Sequence, residues 1–314
     1  MRSVVVTGAF GFAGANLVEQ LVKNKYKVYA VGRRMPSAED SGTIADPGFA
    51  KNCTHNDRLK DIPGIKRIFL EMEEYDRLPD FIDPGDSPDF FFHLAWGGMK
   101  PGAEKQQLFV EGALRAMAAA GEISSNIRFI GIGSQSEYGV VPHGIEITED
   151  IPCNPITDYG KYKARAYSLL KEKSLELGMD FLWVRLFSLI GKYEPDSRML
   201  PSLVRSLRSG NSMSLSSCTQ YWDYLDALDA ADAMIALAGK GCSGEVYNIA
   251  GNKPRILKEY VNETIREMQA NPKLVFFGDD PSPYISLRPS IEKLVKDTGW
   301  SPKISFADSL KYYR

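Results

Sequence analysis

The chain has 314 residues, 44% hydrophobic and 25% charged, with a formal net charge of −2. That length buries a large core, as one large domain or two smaller ones. A pI near 6.0 speaks against general nucleic-acid binding, and no uninterrupted apolar run reaches membrane-spanning length. Met1-Arg2 runs directly into an apolar stretch with no signal peptide, and Cys53, Cys153, Cys218 and Cys242 lie far apart. Neither a zinc site nor a disulfide framework is indicated, so the expectation is a cytoplasmic protein with reduced thiols. His55, His93 and His143 are not at metal-ligand spacing, and no metal is expected.

Residues 3–34 organise the rest. Ser3-Val-Val-Val-Thr7 reads as a strand, followed by Gly8, Gly11 and Gly14. Leu17, Val18, Leu21 and Val22 fall at helical spacing, and Tyr26 to Val31 is a second apolar run. Strand, glycine turn, helix and strand make the first βαβ unit of a dinucleotide-binding sheet. Gly8 turns the chain off the strand, Gly11 lets a pyrophosphate approach the backbone, and Gly14 lets the helix pack on the sheet. The plainer alternative is a glycine turn used only for packing. Where an NAD site carries Asp or Glu to bind the ribose 2′-OH, this chain has Gly32, Arg33 and Arg34. Two guanidiniums suit a 2′-phosphate, which points to NADP(H). The plainer alternative is two solvated arginines.

Residues 35–64 show little periodicity. A loop of that length is either a cover for the adenosine end of the site or a plain insertion. Ile65–Leu70 is predicted as a third strand and Phe90–Ala95 as a fourth, ending at Trp96-Gly97-Gly98. His93 reads as a core histidine. A helix is predicted over 103–121, a strand over 127–132, a helix over 158–177 and a strand over 181–187. Alternating strands and helices predict an α/β fold with a doubly wound parallel sheet, and ligands sit at the carboxyl ends of its strands. Ser134 lies at one such end. After Phe187, loops rich in Pro, Ser and Gly alternate with short helices over 200–209, 227–237, 257–268 and 291–298, with a strand over 246–249. The organisation read is a cofactor domain over 1–187 and a smaller C-terminal substrate-binding lobe over 188–314, with segments near 220–250 returning to the sheet.

Tyr159 and Lys163 stand four apart on one helical face. Tyrosine is a poor acid at neutral pH, but a neighbouring ammonium favours the phenolate and draws its pKa down. The same ammonium can bind a nicotinamide ribose, and the Ser134 hydroxyl can stabilise charge on a substrate oxygen. Alone, Tyr-x-x-x-Lys is an ordinary exposed helical pair; with the glycine unit and a serine ending a strand it is specific.

Thr7-Gly8-x-x-Gly11-Phe12-x-Gly14, His93-Leu94-Ala95, Ser134-x-x-x-Tyr138-Gly139, Tyr159-x-x-x-Lys163, Arg185-x-Phe187, Trp222-Asp223-Tyr224, Tyr247-Asn248-Ile249 and Gly299-Trp300-x-Pro302 run through nearly the whole chain. By these motifs the chain resembles an extended short-chain dehydrogenase/reductase of the nucleotide-sugar epimerase/dehydratase/reductase group. The resemblance implies a Rossmann sheet, a catalytic triad of Ser134, Tyr159 and Lys163, and NADP(H) held by Gly8, Phe10, Gly11, Phe12, Gly14, Arg33, Arg34, Leu94, Ala95, Trp96, Tyr159 and Lys163. It implies a nucleotide-sugar substrate met by Ser136, Ser188, Arg198, Trp222 and Arg288.

The dehydratases of this group carry Thr-Asp-Glu where this chain has Ser134-Gln135-Ser136, which argues against removal of water. Reduction of the 4-keto group of a nucleotide-activated 4-keto-6-deoxyhexose and NAD-dependent 4-epimerisation both remain, and the arginines favour reduction. A catalytically silent NADP(H)-binding sensor and a reductase of non-nucleotide carbonyls are further alternatives. The chain departs from the group at Ser188, where Asn is common, and at Trp222, where Arg usually holds the diphosphate; Arg198, Arg205 or Arg288 could replace that arginine. The resemblance also implies a homodimer, with Ala113, Met117 and Ala120 meeting Tyr162, Ala166 and Leu170 across a four-helix interface. The plainer alternative is that these residues face only their own sheet.

Overall fold

The computed structural model describes residues 2–33, 58–98, 101–280 and 286–313. Arg34 and most of the 35–64 stretch lie outside the described residues. The first unit forms as its sequence dictates: β1 (Ser3–Thr7), α1 (Phe12–Lys23) and β2 (Lys27–Gly32). β3 (Ile65–Phe69) leads into a 3₁₀ segment, and β4 (Phe90–His93) into α2 (Ala103–Ile123). β5 (Arg128–Ser134), α3 (Asp158–Leu177) and β6 (Asp180–Leu186) follow.

Seven strands join in one sheet in the order β11-β6-β5-β4-β1-β2-β3, with β11 spanning Val246–Ile249. All of its pairings are parallel. The order reverses between β1 and β4, and the crevice there, beyond the strand ends, is where such sheets bind ligands.

Strand alternation divides the core. Val4 and Val6 face a layer built on α1 and α5 (Ala227–Lys240), with Leu17, Val18, Leu21, Met234 and Leu237. Val5, Tyr29 and Phe91 face α2 and α3. Ala113, Met117, Ala120, Ala166 and Leu170 are all buried in that second layer within one chain. Those five pack against the chain's own sheet, while Tyr162 on the same helix pair is half-buried. Small and apolar residues at these positions are what close packing of two helices on a sheet requires.

Beyond β6 lie β7 (Ser188–Ile190), α4 (Met199–Arg208), β8 (Met213–Leu215), β9 (Tyr221–Trp222) and β10 (Tyr224–Asp226). Then come β12 (Arg255–Ile256), α6 (Leu257–Glu267), β13 (Val275–Phe277), α7 (Glu292–Thr298) and α8 (Phe306–Ser309). β7 pairs with β10, β8 with β13 and β9 with β12. Leu203, Leu207, Val261, Ile265 and Val275 form a small core of their own between α4 and α6.

Candidate active site

Gly8 adopts φ +71°, a left-handed conformation open to glycine. A Cβ there would stand 2.6 Å from the Ala95 nitrogen, and one on Gly14 would stand 2.1 Å from the Gly8 carbonyl oxygen. The end of β4 thus crosses over the loop, and the first turn of α1 presses against it. Gly11 is the N-cap of α1, and no side chain caps the helix. The Ala15 amide donates to the Gly11 carbonyl at 2.9 Å; the amides before it have no carbonyl within the helix to reach. With the positive end of the helix dipole behind them, they fit the pyrophosphate of a dinucleotide.

The Phe10 ring stacks on Phe69 with centroids 5.5 Å apart and lies where a Cβ on Gly32 would meet it at 2.3 Å. Arg33 follows and is exposed. A further guanidinium stands nearby: Arg58 donates to the Phe10 carbonyl at 2.8 Å. Arg58 lies in a stretch without periodicity, so nothing in the sequence places it at the glycine loop.

His93 ends β4 in the core. Its Nδ1 is 2.8 Å from Thr7 Oγ1, and its ring stacks on Phe129 and meets Tyr75 edge-on. Burial, with the Lys163 charge a second cause, pushes its pKa down to about 3, so the ring is neutral. Leu94 and Ala95 carry the chain over Gly8, and Trp96 follows, its indole N–H donating to Gln106 Oε1 at 2.8 Å.

α3 starts cleanly because Thr157 Oγ1 accepts the Gly160 amide at 3.1 Å. A Cβ on Gly160 would stand 2.3 Å from the Ser136 carbonyl oxygen. The absence of one lets α3 press onto the 134–137 turn, which brings Tyr159 beside Ser134. Lys163 is 4% exposed. Its Nζ donates to the Ile132 carbonyl at 2.6 Å and lies 3.8 Å from the Trp96 ring centre and 6.0 Å from that of Tyr159.

The electrostatics differ from expectation. Burial pushes the Tyr159 phenol up to about 12, the Ser134 hydrogen bond and the Arg198 charge pulling down and Glu137 pushing further up. Burial takes Lys163 down to about 7 against the pull of Glu137. The lysine does not lower the phenol here. It is engaged with Ile132 and the Trp96 face, and desolvation dominates both groups.

Ser136 is half-buried, and its amide donates to Ser134 Oγ at 3.2 Å. Ser188 is buried in β7 opposite Tyr224. Arg198 donates to the Leu189 carbonyl at 3.1 Å and pairs with Glu194 at 3.4 Å. Its guanidinium is 5.7 Å from the Phe12 ring and acts on Tyr159, which places it by the glycine turn and the phenol. Trp222 is half-buried beside Tyr224, and its indole nitrogen has no partner among the described residues. Arg288 donates to the Gly144 carbonyl at 3.0 Å and sits 5.0 Å from the Tyr221 ring, which itself packs on His143. Arg205 is exposed and turned toward Asp196. Glu137 and Arg185, which form a buried ion pair behind Ser134, were not anticipated as site residues. The signal was present in the Ser134-x-x-Glu137 spacing of a capping box.

The family model described as "NAD dependent epimerase/dehydratase family" matches residues 4–250. The chain is 26% identical over 241 residues to GDP-6-deoxy-D-mannose reductase of Pseudomonas aeruginosa, covering 71% of this chain and 78% of that protein. Its fold matches dTDP-glucose 4,6-dehydratase of Bacillus anthracis in complex with NAD, at TM-score 0.82 and 20% identity, over 100% of this chain and 96% of that one. It also matches RMD of Pseudomonas aeruginosa complexed with NADPH, at TM-score 0.79 and 23% identity, over 100% and 97%.

Proposed function

The chain belongs to the NAD dependent epimerase/dehydratase family, and we propose that within it the protein is a reductase that uses NADPH on the 4-keto group of a nucleotide-activated 4-keto-6-deoxyhexose. The observation that carries this reading is the end of β2. Gly32 is followed by Arg33 and Arg34 rather than by a carboxylate, and Arg58 stands at the adjoining loop. Such a rim suits a 2′-phosphate. Gln135 and Ser136, where the dehydratases of the group carry an acid pair, favour reduction over loss of water. The likeness to a GDP-6-deoxy-D-mannose reductase adds to this.

The amides at the start of α1 bind the pyrophosphate, and Lys163 orients the nicotinamide ribose. Bound there, a reduced nicotinamide supplies hydride. Ser134 hydrogen-bonds the substrate oxygen and stabilises the charge that develops on it. Tyr159 gives its proton to that oxygen. A phenol held protonated up to about 12 by burial is in the state a reduction needs at neutral pH, whereas an oxidation begins from the phenolate. In this reading Arg198, beside Phe12, supplies the positive charge that meets a nucleotide diphosphate.

The test is the cofactor state of the purified protein, followed by NADPH oxidation with a panel of nucleotide-linked 4-keto-6-deoxyhexoses. Protein that arrives without cofactor and consumes NADPH in proportion to one of them is the reductase. Protein that arrives with tightly held NAD and epimerises a nucleotide hexose without net consumption refutes the proposal.

A further inference from the structure

Behind Ser134 lies a carboxylate sealed from water. Glu137 is fully buried, and its oxygens accept three kinds of donor. The Ser134 amide reaches Oε1 at 2.8 Å; Trp183 Nε1 and Arg185 Nε reach Oε2 at 3.0 and 2.8 Å. Trp183 and Arg185 are two apart on β6 and so share one face of the sheet. Gly133 leaves the room: a Cβ there would stand 2.3 Å from Glu137 Oε1 and 2.4 Å from Trp183 Nε1.

Ser134 completes the arrangement from the other side. Its Oγ accepts the Ser136 amide at 3.2 Å and closes a reciprocal capping box with Glu137. A hydroxyl whose oxygen is occupied by backbone amides has its proton left to give. The neighbouring oxygen is that of Tyr159.

Stability alone does not account for this cluster. A buried ion pair is commonly no better than apolar residues of the same volume. This one is also incompletely satisfied: Arg185 Nη2 reaches only the Cys153 sulfur at 2.9 Å, and Nη1 is buried without a partner among the described residues.

We infer that Glu137 is a positioning residue. By closing the box against Trp183 and Arg185, it fixes the Ser134 hydroxyl as a hydrogen-bond donor to the reacting oxygen. The inference rests on the reading of Ser134 and Tyr159 as the reacting pair, not on which sugar they meet.

A double-mutant cycle on kcat in the full chain tests it, using Ser134→Ala, Glu137→Gln and the pair together. Wild type is first assayed with NADPH and 4-keto-6-deoxyhexose nucleotides, and in parallel for 4-epimerisation of UDP-hexoses. Activity only in the second assay refutes the reductase reading, and the cycle is then run on epimerisation. Glu137→Gln is expected to lower kcat by about tenfold or more, with KM and the cofactor dissociation constant within about twofold. It should cost nothing further once Ser134 is alanine. Equal losses in both backgrounds overturn the inference. If the Gln variant does not fold, Glu137→Asp, which keeps a carboxylate beside Arg185, goes through the same cycle with the same expectation. A crystal structure of the folded variant decides independently of turnover. Ser134 Oγ detached from the Ser136 amide supports the inference; Oγ unmoved overturns it.

Discussion

Replacing Lys163 with methionine should change not only activity but the way stability depends on pH. Methionine keeps the unbranched stem in its slot and removes the ammonium. In the folded chain burial takes Lys163 from its ordinary 10.5 to about 7; unfolding restores the ordinary value. Below pH 7 both states carry the proton and the folded state bears the full cost of burying it. Between pH 7 and 10.5 the unfolded chain binds the proton and the folded one does not, so stability rises with pH. Each pH unit in that interval is worth about 1.4 kcal/mol, so the lysine's penalty shrinks by roughly 3 kcal/mol between pH 7 and 9.5. The variant leaves the Ile132 carbonyl, which the ammonium binds at 2.6 Å, without that donor. This costs about 1–3 kcal/mol at every pH and so does not alter the slope. The assay is urea unfolding of the cofactor-free protein at half-unit steps from pH 6.5 to 9.5. Taking the difference between the two proteins cancels the other groups that titrate there, including Cys153 and Cys218, whose thiols burial pushes up. The methionine variant should hold its largest relative advantage near pH 6.5 and lose it steadily above pH 7. A difference that stays constant across the range would refute the account of Lys163 as a desolvated cation.

Tyr159→Phe removes the proposed proton donor and should lower kcat by about 10²–10⁴-fold, while NADPH titration by fluorescence shows that the cofactor still binds; near-normal turnover would sink the mechanism. Arg33→Ala with Arg34→Ala should weaken NADPH by about 10–100-fold, from the loss of one or more charge-assisted hydrogen bonds, and leave NADH within about twofold. Equal losses for both cofactors would mean that the arginines do not read the phosphate. Gly14→Ala puts a methyl 2.1 Å from the Gly8 carbonyl oxygen; it should lower the Tm and abolish cofactor binding by calorimetry, and a variant that binds normally would show that the turn yields.

Legibility in the sequence followed the range of the interactions. The first βαβ unit was readable because a Val-rich strand, a glycine turn and a 3.6-residue apolar period are all local signals. Tyr159 and Lys163 were readable as a pair for the same reason. What the sequence concealed depends on residues far apart. The Glu137–Arg185 pair joins two strand ends 48 positions apart. The raised pKa of Tyr159 follows from burial that no spacing reveals. Ala113 and Leu170 illustrate an ambiguity rather than an omission. A face of small and apolar residues suits a protein interface and a sheet equally well, and only packing distinguishes them. β7 and β10, three residues each, are too short for any periodic pattern.

The position of β11 bears on how the molecule is made. β6 is complete at Leu186, but the strand that covers its outer edge ends at Ile249. While the intervening chain is still being synthesised, Asp180–Leu186 offers an open row of amides and carbonyls flanked by Phe181, Leu182, Trp183 and Val184, all buried in the finished fold. Such an edge is a template for a second nascent chain. Ribosomes that stall after Phe187 should therefore release a sticky product, and slow translation of residues 190–250 should lower the yield of soluble protein far more than slow translation of the final turns.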